Sequence, residues 1–219
     1  MKLASPKELE GKKLAFTQGN SQVLLLAKMA TMYGFDASKV TLVNMQPSEG
    51  VVAASKGDVH GLLGWQPNLY RLVQLGGTMY ADGTTLFVTG KEQRLAYADW
   101  LQYNHSILLA SQDWIDTKPN TLQAVLRAFK RATDLLASDR KKALSAMQAR
   151  LRIDADALEV MATANKYALG INDHLKTSLT FQSDWAMQIK RISAAVTPQD
   201  AFAPGPLAAV DPSLVTWKA

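Results

Sequence analysis

The chain has 219 residues, no cysteine, and the proportions of an ordinary globular protein, with 47% hydrophobic and 20% charged residues. These values exclude a disordered or fibrous chain, and the lack of cysteine excludes disulfides, thiolate nucleophiles and cysteine metal sites. No apolar run approaches the roughly 18 residues of a membrane span. The first residues lack the apolar core of a secretory signal, so the sequence predicts a cytosolic protein or a mature or truncated form.

Basic residues outnumber acidic ones, which gives a net charge of +5 and an isoelectric point near 9.3. Apart from Arg140-Lys141-Lys142, the basic residues are scattered among acidic ones. Such mixing is typical of solvated helix faces rather than of a phosphate-binding surface. We therefore do not expect a nucleic-acid partner.

The first half of the chain alternates the patterns of strands and helices. Short apolar runs predict three strands, and the stretches between them predict two helices. Gly34 and Gly57 occupy positions where a left-handed residue ends a helix, and Ser48 is expected to cap the second helix. The predicted strands are 14–16, 40–43 and 61–64, and the predicted helices are 23–33 and 48–55.

This β-α-β-α-β order with short connections predicts a parallel sheet. The carboxyl ends of its strands should lie at one edge, where open α/β sheets bind their ligands. The loops that follow the strands, 17–22, 44–47 and 64–67, are polar. We therefore expect these loops to form one binding pocket.

The first of these loops contains Gly19, Asn20, Ser21 and Gln22 at a strand-to-helix turn. Free backbone N–H groups and a hydroxyl at a helix N-terminus suit an anion or a polar head group. An ordinary capped helix start fits the same residues. Taken alone, the loop is weak evidence for binding, and the prediction depends on the other two polar loops lying beside it.

The other two loops add amides and an aromatic ring. Gln46 and Gln66 are expected to supply amide contacts, and Trp65 is expected to form the wall against the organic part of a ligand. The alternative for Trp65 is a core position under the sheet.

Between residues 68 and 110 the pattern is less regular. It predicts a helix over 69–73, a strand over 84–88 and a further strand over 106–110, which would suit a crossing between two domains. Tyr103-Asn104-His105 is either a polar cluster at a hinge, with Asn104 contacting the ligand, or a surface turn.

The rest of the chain is helical. After Asn120, apolar residues recur at the i, i+3, i+4, i+7 spacing of one buried helix face. Further helices are predicted over 139–150, 154–169 and 180–195. The tail 198–219, which is rich in Pro, Ala and Gly, predicts an ordered loop or strap.

No motif nominates a catalytic residue. His60, His105 and His174 lack the spacing of a metal pair on one helix, and the chain contains neither a nucleophile elbow nor a glycine-rich phosphate loop. The sequence therefore predicts binding without chemistry, and no metal or cofactor.

Four stretches carry a family resemblance: 9–16 (LEGKKLAF), 19–21 (GNS), 57–67 (GDVHGLLGWQP) and 114–119 (WIDTKP). Through them the chain resembles the periplasmic solute-binding proteins of ABC importers. The likeness is to the NMT1-like branch that binds sulfonates, taurine, nitrate and thiamine-precursor pyrimidines. The stretch 57–67 is the most specific.

The resemblance implies a type II periplasmic-binding-protein fold. One complete small α/β lobe would cover residues 5–105, and residues 106–219 would form the helical C-terminal part of the larger lobe, whose N-terminal part is absent. It also implies a periplasmic location, closure of two lobes on a small solute, and docking on a membrane permease. The incomplete lobe would leave apolar surface exposed, so self-association is expected.

Two residues depart from the family pattern. Family members often carry an acid where this chain has His60, and frequently Glu where it has Gln66. The loss of carboxylates favours a small organic anion, such as a sulfonate-type compound, or a neutral polar solute. Within the same resemblance, the alternatives are the effector-sensing domain of a regulator and a thiamine-pyrimidine synthase. The synthases rely on a cysteine-rich segment that this chain lacks.

Overall fold

The computed structural model describes residues 3–88 and 91–217. Contacts within the chain divide it into two compact units, Met1–Asn104 and His105–Ala219. The assignment of residues 5–105 and 106–219 to two lobes stays a prediction. Within the described residues, no helix combines the length and apolarity that a membrane crossing requires.

The first unit is built on a three-stranded parallel sheet, as the sequence predicts. The strand order is β2-β1-β3, and β1 pairs with both neighbours. Two helices connect the strands, which confirms the β-α-β-α-β order. The elements are β1 (Lys13–Phe16), α1 (Gln22–Tyr33), β2 (Thr41–Asn44), α2 (Pro47–Lys56) and β3 (Gly61–Leu62).

Helix α1 supplies much of the core of this unit. Its buried residues include Leu25, Leu26 and Met29, which join Leu14 of β1 in one apolar cluster. Burying each large apolar side chain stabilises the fold by about 1.5–3 kcal/mol. The helix ends at Gly34, which has the left-handed φ of 66° expected of a C-terminal cap.

Helix α2 begins one residue earlier than predicted. Gln46, and not Ser48, is the residue before its first turn, and it forms a capping box with Glu49. Pro47 at the first helical position has no N–H to leave unpaired, which favours this start. Gly57, with φ 86°, ends the helix as predicted.

The remainder of the first unit contains α3 (Asn68–Gln74) and an antiparallel hairpin of β4 (Thr85–Val88) and β5 (Lys91–Arg94). The helix over 69–73 and the strand over 84–88 are therefore confirmed within a residue at each end. Sequence analysis did not predict β5, because all four of its residues are polar or charged and exposed.

The second unit is helical. Its elements are α4 (Gln112–Thr117), α5 (Pro119–Ser138), α6 (Arg140–Leu151), α7 (Ala155–Ala164), α8 (Asp173–Gln188), α9 (Pro198–Ala201) and α10 (Pro204–Ala208). Arg140 joins α6 to α7 through Glu159, at 2.7 Å. Lys130 of α5 lies between Asp134 and Asp211 at 3.0 and 3.7 Å.

Four predictions for the second unit need correction. The strand over 106–110 is not formed, because no strand among the described residues pairs with this segment to receive its hydrogen bonds. The helix over 154–169 ends at Ala164, and the helix over 180–195 is instead Asp173–Gln188, since Asn172 accepts from Leu175 N as a helix cap. The described part of the tail contains two short helices and a 3-10 turn rather than a plain loop; residues 218 and 219 lie outside the described residues.

Gly50 sets the distance at which α2 approaches the sheet. A Cβ at this position would lie 2.8 Å from Leu62 Cδ1 and 3.1 Å from Ala15 Cβ. The close approach of α2 to β1 and β3 therefore requires a residue without a side chain at position 50.

We expect Gly50→Ala to lower the free energy of unfolding by about 1 kcal/mol, because overpacking outweighs the gain in helix propensity. Gly205→Ala is the matched control, since Gly205 also lies in a helix but faces open space. Chemical denaturation measures both. Equal stability changes in the two variants would show that α2 does not need its glycine.

Candidate functional site

The loops after β1 and β2 are joined at the carboxyl edge of the sheet. Met45 N donates to Phe16 O at 2.9 Å, Thr17 Oγ1 donates to Met45 O at 3.1 Å, and Gln18 N donates to Asn44 Oδ1 at 2.9 Å. Each contact follows from the register, which places Phe16 opposite Asn44 at the last pair of the ladder. The two loops therefore form one surface, as the parallel order predicts.

The turn into α1 presents hydrogen-bond donors. Gly19 has φ 85°, a conformation that residues with side chains rarely adopt. Asn20 Oδ1 accepts from Gln22 N at 2.9 Å, which orients the amide, while Asn20 Nδ2 is buried and has no partner. A buried donor without an acceptor is rare in folded proteins. Asn20 therefore offers a fixed amide donor at this edge.

Ser21 precedes α1 but does not cap it through its side chain. Its Oγ instead accepts from Gln102 Nε2 at 2.8 Å. Because the oxygen is used as an acceptor, the hydroxyl proton is left for another group. An ordinary serine cap therefore does not describe this helix start.

The two glutamines have local structural partners. Gln46 N donates to Glu49 Oε2 at 3.0 Å, and the Gln46 side chain is exposed beside the loop that contains Thr17. Gln66 Oε1 accepts from Tyr70 N at 2.9 Å and so holds the first turn of α3. The carbonyl of Gln66 is thus occupied, and its amide nitrogen remains as a donor.

Trp65 follows β3 closely, on the same sheet edge. Its side chain is 41% exposed, so it is not a core residue under the sheet. The exposed indole is free to cover a ligand, with little loss of side-chain entropy.

Tyr103, Asn104 and His105 lie where the chain passes from the first unit to the second, and Tyr103 differs from the other two in being buried. Tyr103 is buried, and its hydroxyl donates to Tyr97 O within a group of aromatic rings that includes Trp100. Lys28 Nζ lies 5.0 Å from the centroid of the Tyr103 ring. Burial lowers the pKa of Lys28 and raises the pKa of Tyr103. Asn104 is exposed at the end of the first unit, and His105 begins the second.

His60 lies at the opposite end of the strands from the polar loops. Its Nδ1 accepts from Lys13 N at 3.0 Å, at the start of β1. The presence of His60 where family members often carry an acid therefore removes no carboxylate from the carboxyl edge. His60 therefore carries no information about the charge of the ligand, and the inference from this position is wrong. Of the two departures from the family pattern, only Gln66 bears on the ligand charge.

Three residues that sequence analysis did not select hold the loop in place: Thr17, Asn44 and Gln102. Asn44 could have been found as the polar residue that directly follows the predicted strand 40–43 and opens the predicted loop 44–47. Gln102 is 81 positions from Ser21, and no local pattern signals such a contact.

The arrangement combines fixed backbone turns, an unpaired amide donor, a hydroxyl and an exposed indole, with no acidic side chain among the predicted ligand residues. Within the part of the chain that the structure describes, no group of three or more metal-ligating His, Cys, Asp or Glu side chains occurs. Chemically, the edge can donate hydrogen bonds to a ligand and cover an apolar surface.

Comparison with known proteins identifies relatives of this fold. The family model described as NMT1/THI5 like matches residues 1–143. No curated protein sequence matches this chain.

Several solved structures are similar to the chain. The periplasmic aliphatic sulphonate binding protein SsuA from Escherichia coli is 18% identical, with a TM-score of 0.70 over 93% of this chain and 66% of that one. The alkanesulfonate-binding protein SsuA from Xanthomonas axonopodis pv. citri, bound to MOPS, is 17% identical, with a TM-score of 0.65 over 100% and 67%.

A ligand-binding component of an ABC-type import system from Staphylococcus aureus, with zinc bound, is 16% identical, with a TM-score of 0.67 over 92% of this chain and 64% of that one. These likenesses show the periplasmic-binding-protein fold. The chain spans about two thirds of the length of each of these proteins.

We expect Asn44→Ala to lower the free energy of unfolding by about 0.5–1.5 kcal/mol, because Gln18 N loses its acceptor. Amide hydrogen exchange at Gln18 should accelerate in the same variant. Asn104→Ala is the control, since Asn104 is exposed like Asn44 but is not the acceptor for Gln18 N. If Asn44→Ala and Asn104→Ala were equally stable, the hydrogen bond from Gln18 N to Asn44 Oδ1 would not contribute to the free energy of unfolding.

Proposed function

We propose that this chain, which belongs to the NMT1/THI5-like family, is the solute-binding component of an ABC importer. Its ligand is a small organic anion or a neutral polar solute, of which a sulfonate-type compound is the leading example. The site is the carboxyl edge of the parallel sheet, formed by Gly19, Asn20, Ser21 and Gln22 with Gln46, Trp65 and Gln66.

The observation that carries this proposal is the buried and unpartnered Nδ2 of Asn20. It lies in a turn that hydrogen bonds from the neighbouring loop hold in place. A donor fixed in this way is stabilised when a ligand oxygen accepts from it, because an unpaired buried polar group costs about 1–3 kcal/mol.

The charge of the ligand follows from the same groups. The amide nitrogens of Asn20 and Gln66 and the hydroxyl of Ser21 all donate, and none of the proposed ligand residues carries a negative charge. Sulfonate, carboxylate and carbonyl oxygens accept such bonds. An ammonium group is itself a donor and would find donors rather than acceptors at these positions. The exposed indole of Trp65 would cover the organic part of the solute.

Transport would follow the mechanism of two-lobed binding proteins, in which lobes close on the solute by a hinge motion. Asn104 is the proposed ligand contact at the hinge. The closed form would dock on a membrane permease in the periplasm. This role requires binding and release, with no catalytic residue.

A matched ligand pair tests the charge preference. We expect butanesulfonate to raise the melting temperature and butylamine, which has the same apolar tail, to leave it unchanged. Ligand at a hundredfold excess over Kd should stabilise the chain by about 2.7 kcal/mol. Taurine, nitrate, pyrimidines and aromatic acids complete the panel. Tight binding of the amine, with none of the sulfonate, carboxylate or neutral compounds, would contradict the proposal.

Variants locate the binding in the same experiment. Trp65→Ala should weaken binding of the best solute by about tenfold or more, as expected for the loss of a large apolar contact. Trp114→Ala is the matched control, because Trp114 is also exposed but lies in α4 of the second unit. Equal effects of both variants would place the ligand elsewhere.

We also propose that the chain pairs with a second copy through residues 106–110. Ile107, Leu108 and Leu109 are 60%, 49% and 87% exposed. Within the described residues, 106–110 form no backbone hydrogen bonds. An extended apolar segment with unpaired N–H and C=O groups is a template for strand pairing. Two copies related by a two-fold axis would pair this segment with itself, in antiparallel orientation.

Light scattering over a concentration series should therefore show a dimer. Leu109→Lys should shift the chain to monomer, since it brings like charges together in the paired strands. Leu75→Lys is the control, because Leu75 is 62% exposed in the first unit. A wild-type chain that stays monomeric at high concentration would refute the pairing.

A further inference from the structure

A cavity of about 760 Å³ lies in the first unit, beside β3; the polar loops contribute Gln22 and Gly64 to its lining. Its walls come from α1, β3, α3 and the segment 75–81. The volume falls within the roughly 300–1,000 Å³ of small-molecule sites. Of the residues proposed to bind the solute, only Gln22 lines this cavity.

The walls are mostly apolar, and some of their few polar side chains form hydrogen bonds within the chain. Among the described residues that line the cavity there is no Lys or Arg. His60 Nδ1 accepts from Lys13 N at 3.0 Å, and Glu8 Oε2 accepts from Ala4 N at 3.2 Å. The apolar lining residues include Leu25, Leu26, Met29, Leu62, Leu69 and Leu72.

Tyr80 differs from the rest of the wall. Its hydroxyl oxygen is buried and has no hydrogen-bond partner, while its ring packs against the apolar core. Burial, followed by the nearby Glu8 and Tyr33, raises the pKa of Tyr80 to about 12. The hydroxyl therefore keeps its proton at neutral pH and remains a donor that lacks an acceptor.

We propose that this cavity is a second binding site, which takes an uncharged and largely apolar organic molecule that presents one carbonyl-type acceptor to the hydroxyl of Tyr80. A carboxylate or sulfonate would find no Lys or Arg among the described lining residues to pair with and would lie near Glu8. Burying such an unpaired charge among leucines is unfavourable. The ligand class is thus opposite in polarity to the solute proposed for the sheet edge.

Three phenyl compounds of similar size test the site by calorimetry: 4-phenyl-2-butanone, butylbenzene and 4-phenylbutyrate. We expect the affinity of the ketone relative to butylbenzene to be roughly threefold to tenfold higher in the wild-type chain than in Tyr80→Phe, as one net hydrogen bond allows. This ratio is the ketone preference. The carboxylate should bind most weakly.

Three variants separate binding from folding. Tyr80→Phe should keep or raise the melting temperature, because it removes a buried hydroxyl that has no partner. Val73→Trp, which adds volume at a half-exposed wall position, should weaken all three compounds. Trp65→Ala should weaken none of them.

Three results would overturn the proposal: no saturable binding of the ketone, an unchanged ketone preference in Tyr80→Phe, or tightest binding of the carboxylate.

Discussion

The sheet of the first unit depends on the central strand β1. It pairs with β2 through four residues and with β3 through two, and Ala15 at its middle is fully buried. β2 and β3 do not pair with each other, so each strand takes its register from β1. Gly50 lets α2 approach that strand closely enough to exclude solvent. The positions of all three strand exits are consequences of this one alignment.

Parallel pairing gives the two ends of the sheet different roles. At the carboxyl ends, the register brings Asn44 beside the loop of Gln18 and so builds a surface of donors. At the amino ends, the imidazole of His60 accepts from Lys13 N and supports the start of β1. His60 and Gln66 are only six positions apart, yet β3 runs between them and carries them to opposite edges. A change of residue type alone therefore says little about a ligand until the strand direction is known.

The same distinction explains what the sequence could predict. Local signals such as Gly34, Gly57 and the apolar runs of β1 and α1 specify helix ends and strands, because backbone conformation and burial act within a few residues. The edge of the sheet was predictable from strand order. The hydrogen bond from Gln102 to Ser21 was not, since it joins residues far apart in the chain. At residues 106–110 the sequence predicted a strand that does not form. An apolar, β-prone sequence becomes a strand only when a partner satisfies its backbone.

Buried polar atoms without partners connect these observations. Within the described residues these atoms are Asn20 Nδ2, Tyr80 Oη and Trp217 Nε1. Native proteins leave few such groups, because each forfeits the hydrogen bonds it made with water. Trp217 packs edge-to-face against Phe202 in the second unit, at 6.0 Å between ring centroids, and nothing around it explains its unpaired N–H. Asn20 and Tyr80, by contrast, border a donor-rich sheet edge and an apolar cavity. The two places differ strongly in polarity, so under the two proposals the cost of each unpaired atom to stability would be offset by a different ligand.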